Sequence, residues 1–277
     1  QFYTTYHKDG SLMLLNFFDE VYVINLPHRV DRLEQMDEEL HRHGIPFTIW
    51  EAIRNDNGVI GLVETMKKLL SNVVEKRQSN VMILEDDASF LVSNPVSFIR
   101  EIMPQIPKKY HLFYLGLNLI TRPTRISQNV LKVNDCYSTH AIVYSYEGAK
   151  LALDMLNSQP PKAYDIMVRE NILPLQQCYC TYPMIATQRV SYSDIEKKDD
   201  PKWGQLMTMT YAMHTKNLPM ATEIARCIGT HKIDEKTPWI DETKFEVQHP
   251  ELLGKECDCG RFIYTEDKCP TCTGDKW

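Results

Sequence analysis

The chain has 277 residues, 43% of them hydrophobic, which is enough for one large core with a small appendage and too little for several catalytic-sized domains. A formal net charge of -6 excludes the overall basic field with which proteins grip nucleic acid or anionic membrane nonspecifically. No stretch approaches the ~20 apolar residues of a membrane-spanning helix, and the opening QFYTTYHKDGSLMLLNFFDEV lacks a basic start, a long apolar run and a small-residue cleavage site, so the chain is read as soluble and cytoplasmic.

Val21 to Ile24 reads as a first buried strand, followed by Asn25-Leu26-Pro27-His28-Arg29. Asp31 is then expected to cap a helix, with Glu34 as its capping-box partner, Leu33, Met36 and Leu40 on one face, and Gly44 as the stop. Phe47 to Trp50 forms a second short strand, and Leu62, Met66, Leu69 and Val73 recur at helical spacing between Gly61 and Lys76. A third strand, Val81 to Leu84, completes a strand, helix, strand, helix, strand series. That order predicts an α/β protein with a doubly wound, mostly parallel sheet.

Val81-Met82-Ile83-Leu84 runs directly into Glu85-Asp86-Asp87. The carboxyl end of a buried strand is where α/β sheets bind ligands, and three adjoining carboxylates there repel one another. A hard divalent cation carrying a phosphorylated substrate resolves that repulsion; a charged turn is the plainer reading. On an extended chain Glu85 and Asp87 face the same way, so they are the expected metal-facing pair, with Asp86 as the alternative.

Further along, Phe113 to Gly116 and Thr139 to Ser145 read as strands, Tyr146 to Asn157 as a helix, and Asp165 to Asn171 as a shorter helix. Cys178 and Cys180 alternate along a strand from Gln176 to Tyr182, and with Cys136 and Cys227 they read as buried small apolar residues. Ile195 to Lys202 reads as a polar surface link. Near the end, Cys257, Cys259, Cys269 and Cys272 make two close pairs, with Gly after the first and Pro inside the second. This is the spacing of zinc-ribbon knuckles, in which four thiolates close a structural Zn²⁺ site; two disulfides in a secreted tail are the alternative. The expected division is a catalytic domain over residues 1–248 and a ribbon-like tail over 249–277.

VYVINLPHRVDRL, GIPFTIWEAI, VMILEDDASF, FYLG, STHAIVYSYEGAKL and PMIATQRVSYSDI occur in the order and approximate spacing of glycosyltransferase family 25, which includes lipooligosaccharide and procollagen sugar transferases. The resemblance covers about Val21 to Ile195, and INL-x-x-R-x-D-R and LEDD are its most specific pieces. It implies a GT-A fold, a Rossmann-like α/β half with an acidic metal motif after a central strand. A nucleotide-sugar donor, UDP-linked on this reading, would meet Asn25, Leu26, Arg29 and Arg32 at the first strand exit and Ala52 and Ile53 after the second strand; ordinary capping and pairing of the arginines with Asp31 or Glu34 is the alternative. Mn²⁺ or Mg²⁺ would sit on Glu85, Asp86 or Asp87 and offset charge on the departing diphosphate.

A later segment, Gly229 to Trp239, is similar to the H-x-x-G-x-x-K-P-W run of glycosyltransferase family 8, with His231 in the place of a metal ligand and Lys236 in the place of a diphosphate contact. The spacing differs: Lys236 stands five positions after His231 rather than six, and Thr237 separates it from Pro238. Asp165 matches the acidic position that family 25 carries after its THAY segment and would act as the acceptor's base. His140 reads as a buried, hydrogen-bonded structural histidine, and Asp194 as an acceptor-orienting or loop-capping acid. The resulting expectation is a metal-dependent glycosyltransferase acting on a hydroxyl of a glycan or protein. The alternative is a transferase acting on a hydroxymethylated base in DNA with help from the ribbon.

Overall fold

The computed structural model describes residues 4–5, 17–189, 191–195, 197–200, 207, 255–256 and 262–263. In chain order they form β1 (Thr4–Thr5), β2 (Glu20–Asn25), α1 (Val30–Arg42), β3 (Phe47–Glu51), α2 (Gly58–Glu75) and β4 (Asn80–Glu85). Next come β5 (Ala88–Phe90), α3 (Pro95–Ile102), β6 (Leu112–Tyr114), β7 (Asn118–Leu119), β8 (Thr124–Arg125), β9 (Val130–Lys132) and β10 (Cys136–Tyr137). They are followed by β11 (Ala141–Ser145), α4 (Tyr146–Ser158), α5 (Tyr164–Asn171), β12 (Cys178–Thr181), β13 (Ala186–Gln188), β14 (Ser191–Ser193) and β15 (Lys198–Asp200). Much later, β16 (Lys255–Glu256) and β17 (Phe262–Ile263) pair antiparallel on either side of Cys257 and Cys259, which lie outside the described residues with Cys227, Cys269 and Cys272.

Nine strands make one mixed sheet in the order β1-β3-β2-β4-β11-β6-β12-β9-β8. The expected parallel unit is present, since β2 pairs parallel with both β3 and β4. The sheet is not parallel throughout, however: β11 runs antiparallel between β4 and β6, with Ala141 opposite Leu84 and Ser145 opposite Asn80. The reversal has a consequence for the site, because it brings the residues that enter β11 to the carboxyl end of β4. β6 and β12 return to the parallel direction.

The pleat divides the core into two. Val21, Val23, Met82 and Leu84 pack with Met36 and Leu40 of α1 on one face. Tyr22, Ile24, Val81 and Ile83 pack with Val63, Met66 and Leu69 of α2 and with Ala149 and Ala152 of α4 on the other. Two-sided burial explains why these strands read as continuous apolar runs. Cys136, Cys178 and Cys180 are buried free thiols, as their alternation suggested.

Three local expectations change. Asp31 does not cap α1: the N-cap is Arg29, without a side-chain cap, because the Asp31 carboxylate is taken by the Arg29 guanidinium. α2 starts earlier than its apolar spacing indicates, because the Asn57 side chain accepts from Val59 N and caps it there. The supposed link after residue 194 is half of a hairpin, with Ser191 opposite Asp200 and Ser193 opposite Lys198. Gly44 does end its helix region, at φ +64.

Gly116 sits where no side chain fits: a Cβ there would collide with the Ala186 carbonyl and approach His140 Nε2 to 2.5 Å. Gly116→Ala is therefore expected to destabilise the protein by about 2–4 kcal/mol, lowering Tm by roughly 5–15 °C in a circular-dichroism melt.

Candidate active site

β4 stops at Glu85, and Asp86 and Asp87 form the turn into β5, which is held by β13 through the Gln188 to Ala88 register. The strand alternation that would have set Glu85 beside Asp87 is thus broken by a turn. Asp86 is buried at 7% exposure and fully engaged. Arg32 Nη1 donates to Asp86 Oδ1 at 2.5 Å, and Asn25 Nδ2 donates to Asp86 Oδ2 at 3.0 Å. Both partners come from the first strand and helix, side by side with β4 in the sheet. Arg32 Nη1 also lies 3.5 Å from Asp87 Oδ2.

Glu85 and Asp87 are less well served. Thr139 Oγ1 donates to Glu85 Oε1 at 3.0 Å, and Gln188 Nε2 reaches Asp87 Oδ1 only at 3.4 Å. Burial, together with the charge of Asp87, pushes the Glu85 carboxyl up to about 8, and Asp86 and Asp165 add to the effect. Burial likewise raises Asp87, against the pull of Arg32. Asp165 therefore stands within electrostatic reach of Glu85. Its Oδ2 accepts from Ser138 N at 3.3 Å, while Oδ1 accepts from Ile166 N at 2.8 Å at the start of α5.

One short segment joins these acids. Ser138 adopts a left-handed φ of 76, uncommon for a residue with a Cβ, and its neighbour Thr139 carries the hydroxyl that meets Glu85. The carbonyl of His140 accepts from Glu85 N at 2.8 Å. The His140 ring is completely buried, and burial holds its pKa down to about 4. The Ala186 carbonyl is the ring's hydrogen-bonding neighbour, at a looser geometry than an ordinary hydrogen bond, and the histidine is buried as expected.

The residues expected at the exits of the first two predicted strands also converge. Ala52 N donates to Asn25 O at 2.8 Å, which ties the loop after β3 to the end of β2. Ile53 N donates to Thr65 Oγ1 at 2.8 Å, and a Cβ on Gly61 would stand 2.6 Å from Ile53 O, so α2 presses directly on this loop. Leu26 is half-buried, and its carbonyl accepts from Arg29 N at 2.8 Å. Arg29 binds Asp31 through Nε and Nη2, each at 2.9 Å, while its Nη1 donates to Asp194 and to Tyr192 O. Arg32 Nη2 donates to Ser191 Oγ at 2.6 Å and to Tyr192 O at 2.9 Å. Arg29 thus pairs with Asp31, while Arg32 is taken by Asp86, and both also reach acceptors far away in sequence. In the β14–β15 hairpin Asp194 is the partner of Arg29, and Ser191 and the Tyr192 carbonyl are those of Arg32.

Lys236, His231, Cys257, Cys259, Cys269 and Cys272 lie outside the described residues. Among the described residues no group of three or more His, Cys, Asp or Glu side chains is gathered to hold a metal ion, and no helix is long and apolar enough to cross a membrane. Thr139, Gln188, Ser191 and Tyr192 join the site without having been singled out in the sequence. Nothing in their local pattern distinguishes them from other polar loop residues, and only the sheet order brings them in.

No protein-family model matches the chain, and no curated protein matches it. Solved structures similar to it include a glycosyltransferase involved in glycosylation of the major capsid of PBCV-1, at 12% identity and TM-score 0.42, covering 64% of this chain and 95% of that one. A197 from STIV is similar at 14% identity and TM-score 0.38, over 64% of this chain and 91% of its own. A putative glucose-1-phosphate thymidylyltransferase from Bacillus anthracis is similar at 11% identity and TM-score 0.35, over 64% of this chain and 74% of its own.

Removing the cation from a buried pair strands the carboxylate. Arg32→Met is expected to cost about 3–5 kcal/mol in urea unfolding, with part of that loss recovered in the Arg32→Met, Asp86→Asn double variant. The pH dependence follows from Glu85 and His140. Glu85 rises from its ordinary 4.5 to about 8 on folding, so its stabilising proton is fully present below 4.5 and is lost as pH climbs to about 8. His140 falls from 6.5 to about 4, and its contribution is full above 6.5 and lost as pH drops toward 4. Between pH 6.5 and 8 Glu85 dominates, and metal-free protein is expected to lose about 1–2 kcal/mol across that window. Glu85→Gln should flatten the decline in thermal melts taken with a chelator.

Proposed function

We propose that this protein is a metal-dependent glycosyltransferase that moves a sugar from a UDP-linked donor to a hydroxyl of a glycan or protein acceptor. The observation that carries the proposal is the sorting of the three carboxylates after β4: Asp86 is consumed by Arg32 and Asn25, while Glu85 and Asp87 stay without a full cationic partner. Their mutual repulsion is what a divalent cation relieves, so Glu85 and Asp87 fit Mn²⁺ or Mg²⁺. Oxygen ligands suit either ion, and His231 is the proposed further ligand. When bound, the ion would stabilise charge on the leaving diphosphate.

The remaining roles fall to the chain itself. Asn25 and Arg32 hold Asp86 so that the turn keeps its shape, while Ala52 and Ile53 offer a half-buried wall for the donor base. Leu26 and Arg29 flank the phosphates, and Lys236 is proposed as a further phosphate contact. Asp165 takes the proton of the acceptor hydroxyl as that oxygen attacks the anomeric carbon; it stands on the same side as Glu85, one strained segment away. A structural Zn²⁺ on Cys257, Cys259, Cys269 and Cys272 belongs to the same proposal.

A panel of nucleotide sugars assayed for hydrolysis with and without Mn²⁺ tests the reading. Turnover should require the metal and fall roughly a hundredfold in Asp87→Asn, and Asp165→Asn should reduce transfer by about 10²–10⁴ with little change in donor affinity. Metal-independent turnover, or full activity in Asp87→Asn, would refute it.

A further inference from the structure

The β14–β15 hairpin is attached to the site in an unusual way. Each of two arginines, Arg32 buried and Arg29 half-buried, divides its donors between a fixed partner and the hairpin. Arg29 gives Nε and Nη2 to Asp31 and Nη1 to Asp194 and Tyr192 O. Arg32 gives Nη1 to Asp86 and Nη2 to Ser191 Oγ and Tyr192 O. The fixed partners lie in α1 and the acidic turn and would hold both guanidinium planes in place if the hairpin left. Everything the hairpin contributes is an acceptor oxygen: one carboxylate, one hydroxyl and one carbonyl used twice. His28 Nε2 stands 3.5 Å from the second carboxylate oxygen of Asp194. Arg32 Nε remains buried with no acceptor at all, so the cluster has donor capacity that the hairpin does not use.

The same hairpin also reaches the start of α2, with Ile195 43% exposed. Ile195, next to Asp194, lies over the first turn of α2, where a Cβ on Gly58 would meet Ile195 Cα at 2.7 Å and Asp194 O at 3.2 Å. An anionic group followed by an apolar one therefore spans from the arginines to the first residue of α2, which follows the loop that begins at Ala52. Those are the two ends of a nucleoside diphosphate, with phosphates on guanidinium donors and a base against the loop.

Resting on the reading proposed above, we infer that the tip of this hairpin is a displaceable internal occupant of a nucleoside-diphosphate site, with Asp194 standing in for phosphate oxygens and Ile195 for the base. Donor binding exchanges one set of acceptor oxygens for another on prearranged arginines, so the hairpin competes with the donor and swings away as it enters. The competition is that of one partly exposed Asp–Arg contact, so removing it is expected to shift ligand affinity about fivefold.

Binding of inorganic pyrophosphate and of UDP with Mn²⁺ to the full chain, followed by calorimetry, tests the inference. Asp194→Asn should bind both about fivefold more tightly than the parent. Ile195→Ala should tighten UDP severalfold and leave pyrophosphate unchanged, since pyrophosphate has no base. Arg29→Met should weaken both ligands, and melts equal to the parent's would show that each variant is folded. Unchanged or weaker binding in folded Asp194→Asn and Ile195→Ala, or no binding of either ligand by any form, overturns the inference, even where nucleotide-sugar turnover upholds the transferase reading. Tighter pyrophosphate and UDP binding in Asp194→Asn sustains the inference, even where no nucleotide sugar is turned over.

Discussion

Three adjoining carboxylates at the end of a buried strand cannot all stay ionised without a counter-charge, and much of this structure is arranged around that constraint. The counter-charge comes from Arg32, delivered by the helix that follows the neighbouring strand, and it reaches Asp86 together with Asn25. The pair is nearly solvent-free, with each side chain 10% exposed. Burying an ion pair is seldom a source of net stability, and its value here is positional. It pins the acidic turn to the end of β2 and leaves Glu85 and Asp87 as the acids still short of a partner.

The antiparallel insertion of β11 is the second element of the arrangement. Because β11 starts beside Leu84 rather than ending there, the Ser138-Thr139-His140 segment arrives at the acids. Thr139 meets Glu85, and the Ser138 amide meets Asp165. The left-handed backbone at Ser138 fits the pattern of local strain kept where geometry matters for chemistry. At the end of this segment the His140 ring is completely buried and stands close against Gly116, which anchors the stretch that reaches Glu85 and Asp165.

Packing and charge then link the site to its own cover. Arg29 and Arg32 are each anchored by one acid close in sequence or in the adjoining turn, and each turns a remaining donor toward the hairpin after β13. This division gives each guanidinium group an anchor that does not depend on the hairpin. A site built in this way can exchange acceptors without losing its shape, which is the advantage of preorganisation for a ligand that arrives with its own oxygens.

Local pattern alone determined a good deal of this protein. Apolar runs at 21–24, 47–50 and 81–84 and helical spacing between them specified a parallel βαβαβ core, because two-sided burial writes itself into consecutive residues. The acidic junction was legible for the same reason, as charge abruptly following a buried strand. The capping role assigned to Asp31 failed because a cap is a competition, and an arginine two residues away won the carboxylate. What only the tertiary structure decided was the fate of each charged group. Arg32 lies 54 residues from Asp86 and Arg29 lies 165 from Asp194, so their pairing depends on strand order and direction rather than on any local spacing. Sequence periodicity records which face of an element is buried. Which acid is neutralised and which is left for a ligand is set by the neighbours that the sheet places opposite it.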